Sequence, residues 1–147
     1  MKVTEILKLK GNFLVTIAPD TPMQQAVSMM AEKDMGSLVV MDQGQLSGML
    51  TFREVMKALE RNSGNLDQSG MVRDHMNKQP IVITPEHEIN EVRALMLGEH
   101  ARYVPVVRGT AVIGVLSFYD IAKAVLEAQS FENRMLKDYI GAWPSGE

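Results

Sequence analysis

Two hydroxyl–carboxylate pairs, Thr51-x-x-Glu54 and Ser117-x-x-Asp120, each close an apolar run and open a helical one. A carboxylate has two acceptor oxygens, so it can take hydrogen bonds from two neighbouring hydroxyls at once, and charged acceptors make the stronger bonds. The hydroxyl three residues earlier can donate to a phosphate or sugar oxygen. At the first turn of a helix the backbone dipole favours a carboxylate and can also favour a bound phosphate. The same spacing has a plainer reading, in which Glu54 and Asp120 are simply acids placed at helix starts.

The two pairs are copies of one unit. Gly48-Met49-Leu50-Thr51-Phe52-Arg53-Glu54 reads against Gly114-Val115-Leu116-Ser117-Phe118-Tyr119-Asp120, and 114 − 48, 117 − 51 and 120 − 54 all give 66. Between residues 15–58 and 81–124 nine of 44 pairs are identical, where ordinary composition gives about three. A repeat on this scale governs the architecture. The expected organisation is a first repeat at 1–61, a flexible polar linker at 62–70, a second repeat at 71–126 and a helical extension with a tail at 127–147.

Other chemistries find little support. The chain has no cysteine, which removes disulfides, thiolate nucleophiles and thiolate metal ligands together. His75, His87 and His100 are dispersed without metal-ligand spacing, and no Walker loop, dinucleotide fingerprint or nucleophile elbow occurs. A net charge of −3 without a basic run argues against nucleic acid. No apolar run approaches the roughly 18 residues of a membrane span, and the first residues lack signal-peptide character. A cytoplasmic protein is expected.

The elements that must position the two pairs follow from periodicity. Residues 4–9 read as a short helix with Thr4 as its N-cap, and 72–76 as its counterpart, offset by 69 because about three extra residues lie around Lys10-Gly11-Asn12. Residues 13–17 and 81–83 read as short strands. A helix at 23–33, capped by Asp20 or Thr21 with Pro22 in its first turn, buries Met23, Ala26, Val27, Met30 and Ala31. Its partner at 89–99 buries Ile89, Val92, Leu95 and Met96. Hairpins follow at 37–41 with 46–50 and at 103–107 with 111–116, each closed by a helix, from Phe52 to about Arg61 and from Phe118 onward. The last helix keeps an apolar stripe through Ile121, Val125, Ala128, Phe131, Met135 and Tyr139 to Ile140, where Gly141 and Pro144 end it.

This order of elements, with Gly36-Ser37-Leu38-Val39-Val40-Met41 and Ala101-Arg102-Tyr103-Val104-Pro105-Val106-Val107 ahead of the hairpin turns, resembles the cystathionine beta-synthase (CBS) domain. The pair resembles a Bateman module over nearly the whole chain, and residues 127–141 are similar to the tail of stand-alone two-CBS proteins. The resemblance implies an α/β (α+β) tandem CBS-domain pair, two pseudo-twofold-related β-α-β-β-α units with flanking helices. It implies two clefts for adenosyl ligands such as AMP, ATP, NAD or S-adenosylmethionine, no catalyst and no metal, and a homodimer of the regulatory, signal-transduction kind.

Carried over residue by residue, the resemblance implies a nucleotide site from Gln79, Pro80, Ile81, Arg102, Tyr103, Val104, Pro105, Ser117 and Asp120. Ser117 and Asp120 would take the ribose, the segments around Ile81 and Val104 the adenine, and Arg102 a phosphate, since guanidinium pairs bidentately with phosphate oxygens; a solvated surface arginine is the other reading of Arg102. A weaker site would comprise Leu14, Val15, Ser37, Thr51, Arg53 and Glu54, where Glu54 replaces the family's Asp. The alternatives are a partner-binding scaffold with empty clefts that docks a target enzyme, and an enzyme on the same scaffold.

Overall fold

A computed structural model describes residues 1–11 and 14–142. Along the chain run α1 (Val3–Lys10), β1 (Thr16–Ile17), α2 (Met23–Lys33), β2 (Ser37–Asp42), β3 (Gln45–Thr51), α3 (Phe52–Arg61), α4 (Ile89–Glu99), β4 (Tyr103–Arg108), β5 (Ala111–Ser117) and α5 (Phe118–Ala142). The first sheet has the order β1-β2-β3, with β1 parallel and β3 antiparallel to β2. The second pairs β4 with β5. In place of a third strand, Ile83 bridges in parallel to Val106, at the positions where Ile17 meets Val40 in the first repeat. The expected strand at 13–17 is thus shorter, and Phe13 lies outside the described residues.

The two repeats exchange their leading segments. Val3 and Thr4 donate their backbone N–H groups to His87 and Pro85 carbonyls, and Ile89 N–H donates to Met1. The same three bonds recur as Val72 to Thr21, Arg73 to Pro19 and Met23 to Gly70. Each bond maps onto its twin by 66 on one partner and 69 on the other, so the sequence repeat is a pseudo-twofold in space. Val3, Ile6 and Leu7 of α1 consequently pack in the core of the second repeat, with Ile83, Val92, Val106 and Leu116. Val72 packs in the core of the first repeat, with Ile17, Met23, Leu38 and Leu50.

This exchange explains where the expected caps are missing. The N-caps of α1 and α2 are Lys2 and Pro22, neither with a capping side chain, and Thr4, Asp20 and Thr21 do not cap. Carbonyls of His87 and Pro85 take the Val3 and Thr4 N–H groups at the start of α1, and that of Gly70 takes the Met23 N–H at the start of α2, which would otherwise need side chains. The segment at 62–70 is likewise anchored rather than free: a 3-10 turn spans Leu66–Gln68, Ser69 is buried, and its hydroxyl donates to the Leu66 carbonyl at 2.6 Å. Its counterpart of α1 shrinks to a 3-10 turn at Val72–Asp74.

Helices α2 and α4 keep the expected bounds, and each ends on a left-handed residue, Asp34 and His100. Their buried lines are Met23, Ala26, Met30 and Ile89, Val92, Met96. Ala31 and Leu95 fall off that line and are exposed, because at 3.6 residues per turn they point well to one side of it. Helix α5 leaves the core after Val125; Phe131, Met135, Leu136, Tyr139 and Ile140 all stand 54–63% exposed. It continues through Gly141 to Ala142, and Pro144 lies outside the described residues. No helix among the described residues is long and apolar enough to cross a membrane.

Candidate functional site: two clefts built across the repeats

The two hydroxyl–carboxylate pairs cap α3 and α5. Thr51 Oγ1 accepts the Arg53 N–H at 3.2 Å, while Glu54 Oε1 accepts the Thr51 N–H at 2.8 Å and its hydroxyl at 2.7 Å. Ser117 Oγ accepts the Asp120 N–H at 3.0 Å, and Asp120 Oδ2 accepts the Ser117 N–H at 2.8 Å. Both are reciprocal capping boxes, which fix the rotamer of hydroxyl and carboxylate at the helix N-terminus. The structure therefore satisfies the plainer reading of both acids, and it also preorganises them beside the clefts.

Cleft A, of about 540 Å³, is lined by Thr51, Arg53 and Glu54 from the first repeat and by Gln79, Pro80, Ile81, Arg102 and Tyr103 from the second. Cleft B, of about 620 Å³, is lined by Leu14, Val15 and Ser37 from the first repeat and by Ser117 and Tyr119 from the second. The grouping by repeat that the sequence suggests is therefore not the grouping in space. The helix start of each repeat faces the lead-in strand of the other, because the leading segments are exchanged. Arg102 and Tyr103 line both clefts.

Val104 and Pro105 line neither cleft. Side chains alternate along a strand, so with Tyr103 on the cleft side Val104 points into the second core, where it is fully buried. Pro105 is buried opposite Val115 in the β4–β5 pair. Asp120 does not itself line cleft B; Lys10 does, and its ammonium donates to Asp120 Oδ2 and to the Val115 carbonyl, both at 2.8 Å.

Burial acts to raise the Asp120 pKa, but the Lys10 and Ser117 hydrogen bonds and the Lys10 charge outweigh it and hold the carboxyl below its usual value. Burial raises the Tyr103 phenol, with the Arg102 charge opposing and the Asp120 charge adding. In cleft A, Arg53 donates to the carbonyl of His100, the left-handed residue that ends α4, at 2.8 Å. No ion pair forms to Glu54 among the described residues. Nor do they contain a cluster of metal-ligating side chains.

Sequence reasoning passed over Lys10 and Lys33 in cleft B and Lys57 in cleft A. Lys10 is the instructive case. It reaches Asp120 only because α1 packs on the opposite repeat, and no residue type along the chain signals that exchange.

The match to known proteins covers both repeats. The CBS-domain family model matches twice, at residues 12–61 and 72–127. The chain belongs to the CBS-domain family. It is similar to the mitochondrial CBS domain-containing protein CBSX3 of Arabidopsis thaliana, at 28% identity over 148 residues, covering 94% of this chain and 71% of that protein. Among solved structures it is similar to the CBS-domain containing protein ATU1752 from Agrobacterium tumefaciens, with 27% identity, a TM-score of 0.79 and coverage of 84% and 98%. The CBS domain pair of protein MJ0100, solved with 5′-methylthioadenosine and S-adenosyl-L-methionine, shares the fold at 21% identity and a TM-score of 0.77, over 87% of this chain and 98% of that one. The mixed α/β architecture described above is thus that of a tandem CBS pair.

Proposed function

We propose that this CBS pair is a non-catalytic regulatory module that takes adenosine-containing ligands in clefts A and B and signals through a homodimer. The observation that carries the reading is the composition of each cleft: a lead-in segment from one repeat faces the capped helix start of the other, with Thr51 and Glu54 lining cleft A and Ser117 lining cleft B, where Lys10 stands between the cleft and Asp120. A flat apolar slot at Pro80 and Ile81, or at Leu14 and Val15, suits adenine. The carboxylate suits ribose hydroxyls, and the helix N-terminus with Arg102 suits phosphate. The adenosyl compounds bound by MJ0100 support the same ligand class.

Binding would regulate by favouring one arrangement of the dimer, which requires unequal affinity for the two arrangements. The exposed apolar residues of α5 supply a surface for the second copy. They equally suit the alternative of a partner enzyme docked by a scaffold whose clefts stay empty. We place the protein in the cytoplasm, with no nucleic-acid partner, in keeping with its net charge of −3. Calorimetric titration with AMP, ATP, NAD and S-adenosylmethionine tests the reading, since a ligand bound only by the folded state also raises its stability. Saturable binding of one of them at one or two per chain supports it; heats of dilution with all four transfer the weight to partner docking.

A further inference from the structure

We propose that Lys10 is an internal counter-ion that makes cleft B select phosphorylated adenosine ligands over unphosphorylated ones. The inference rests on the adenosine-binding reading above and adds a specificity residue to it. Three observations carry it. Lys10 lines cleft B, with its ammonium on Asp120 Oδ2 and the Val115 carbonyl. Oδ2 already holds the Ser117 N–H as well, so a ribose arriving while Lys10 is in place meets chiefly Oδ1. Finally, among the described residues Glu54, the counterpart of Asp120, is bonded only by the neutral N–H and hydroxyl of Thr51.

The two vicinal hydroxyls of a ribose use a carboxylate best when both oxygens accept. In cleft B that requires Lys10 to let go of Oδ2. A ligand with a 5′-phosphate offers the ammonium a second anion within the same cleft, so the cation changes partner without being left unpaired beside a half-buried carboxylate. The chemistry is a trade of one charge-assisted bond for another. Adenosine offers no such partner: either Lys10 stays and recognition of the sugar is halved, or the ammonium loses its carboxylate. In cleft A no cation among the described residues pairs with Glu54, and this constraint is absent there.

The test titrates AMP and adenosine into wild type, Lys10→Met and Lys10→Arg, following the backbone amide resonances of Ser117 and Asp120 for cleft B and of Thr51 and Arg53 for cleft A. Lys10 is partly exposed, and the unliganded spectrum of each variant verifies its fold. Wild type is expected to favour AMP at cleft B by roughly tenfold to a hundredfold, the range of one hydrogen bond to a charged group. Lys10→Met should cut AMP affinity there by a similar factor while leaving adenosine equal or tighter, and Lys10→Arg should restore the preference. Cleft A should not change.

An unchanged AMP-to-adenosine ratio in Lys10→Met overturns the proposal, as does an equal loss of both ligands, which would make Lys10 a structural brace for Asp120. Both outcomes leave the adenosine-binding reading standing, because wild type still binds the ligands. If neither ligand moves any of the four amides in wild type, the adenosine-binding reading fails and the specificity proposal falls with it.

Discussion

Replacing Gly36 by alanine probes a place where the two repeats pack closely. A Cβ added there would overlap the Tyr103 hydroxyl and lie 2.6 Å from Phe52 Cε2, whereas carbon atoms pack comfortably at about 3.5–4.0 Å. Both rings must therefore move, Phe52 by about 1 Å and Tyr103 by about 1.5–2 Å. Overpacking of this kind costs about 1–3 kcal/mol. Phe52 is 49% exposed and Tyr103 borders both clefts, so both rings can yield and the lower half of that range, about 1–2 kcal/mol, is expected. For a chain of this size that is a fall of about 2–8 °C in Tm. Urea unfolding of Gly36→Ala, Tyr103→Ala and the double variant gives the coupling between the positions. Much of the Gly36→Ala cost should vanish once the Tyr103 ring is gone, leaving a coupling above about 0.5 kcal/mol. Strictly additive effects, or a Gly36→Ala protein as stable as wild type, would show that Tyr103 does not rest on Gly36.

Three further outcomes follow from the same geometry. Asp120 is held below its unfolded value, so the stability it contributes is present above roughly pH 4 and is lost as the pH falls through its folded value; Lys10→Met should lose less between pH 7 and about pH 3, and unfolding midpoints across that range decide it. Thr51→Ala removes the acceptor for Arg53 N–H and a donor to Glu54 and should cost about 1 kcal/mol in urea unfolding; no change would mean that the capping box is not formed. Truncation after Leu126 removes Phe131, Met135 and Tyr139 and should give monomers or insoluble protein, whereas an intact dimer by light scattering would refute a dimer role for α5.

What could be read from the chain was what periodicity and turn chemistry encode locally. Helix α2 and its copy α4 had their bounds fixed by Pro22, by the repeating apolar line and by the change to extended residues at Ser37 and Tyr103. The hairpins followed from Asp42-Gln43-Gly44 and Arg108-Gly109, with left-handed backbone at Gln43, Gly44 and Gly109 in the structure. The exchange of leading segments was not legible, because it is made by backbone N–H groups meeting backbone carbonyls, as at Val3 with His87 and Val72 with Thr21. Any residue can accept such a bond and any but proline can donate one. From that one omission came the regrouping of the site residues, since Thr51 and Glu54 meet Gln79 and Ile81 only after the exchange. The Val104 side chain stands off both clefts for a simpler reason: strand alternation puts it opposite Tyr103 in direction, and a contiguous motif conceals that.

The central claim is that each cleft is assembled from both repeats and receives an adenosine-containing ligand. Amide chemical-shift mapping of a titration with AMP, and with S-adenosylmethionine where AMP gives no shift, tests it directly. Cleft A predicts a common saturation curve for Thr51 and Arg53 with Gln79 and Ile81, and cleft B one for Val15 and Ser37 with Ser117. Shifts confined to one repeat, or no saturable shift with either ligand, would contradict it.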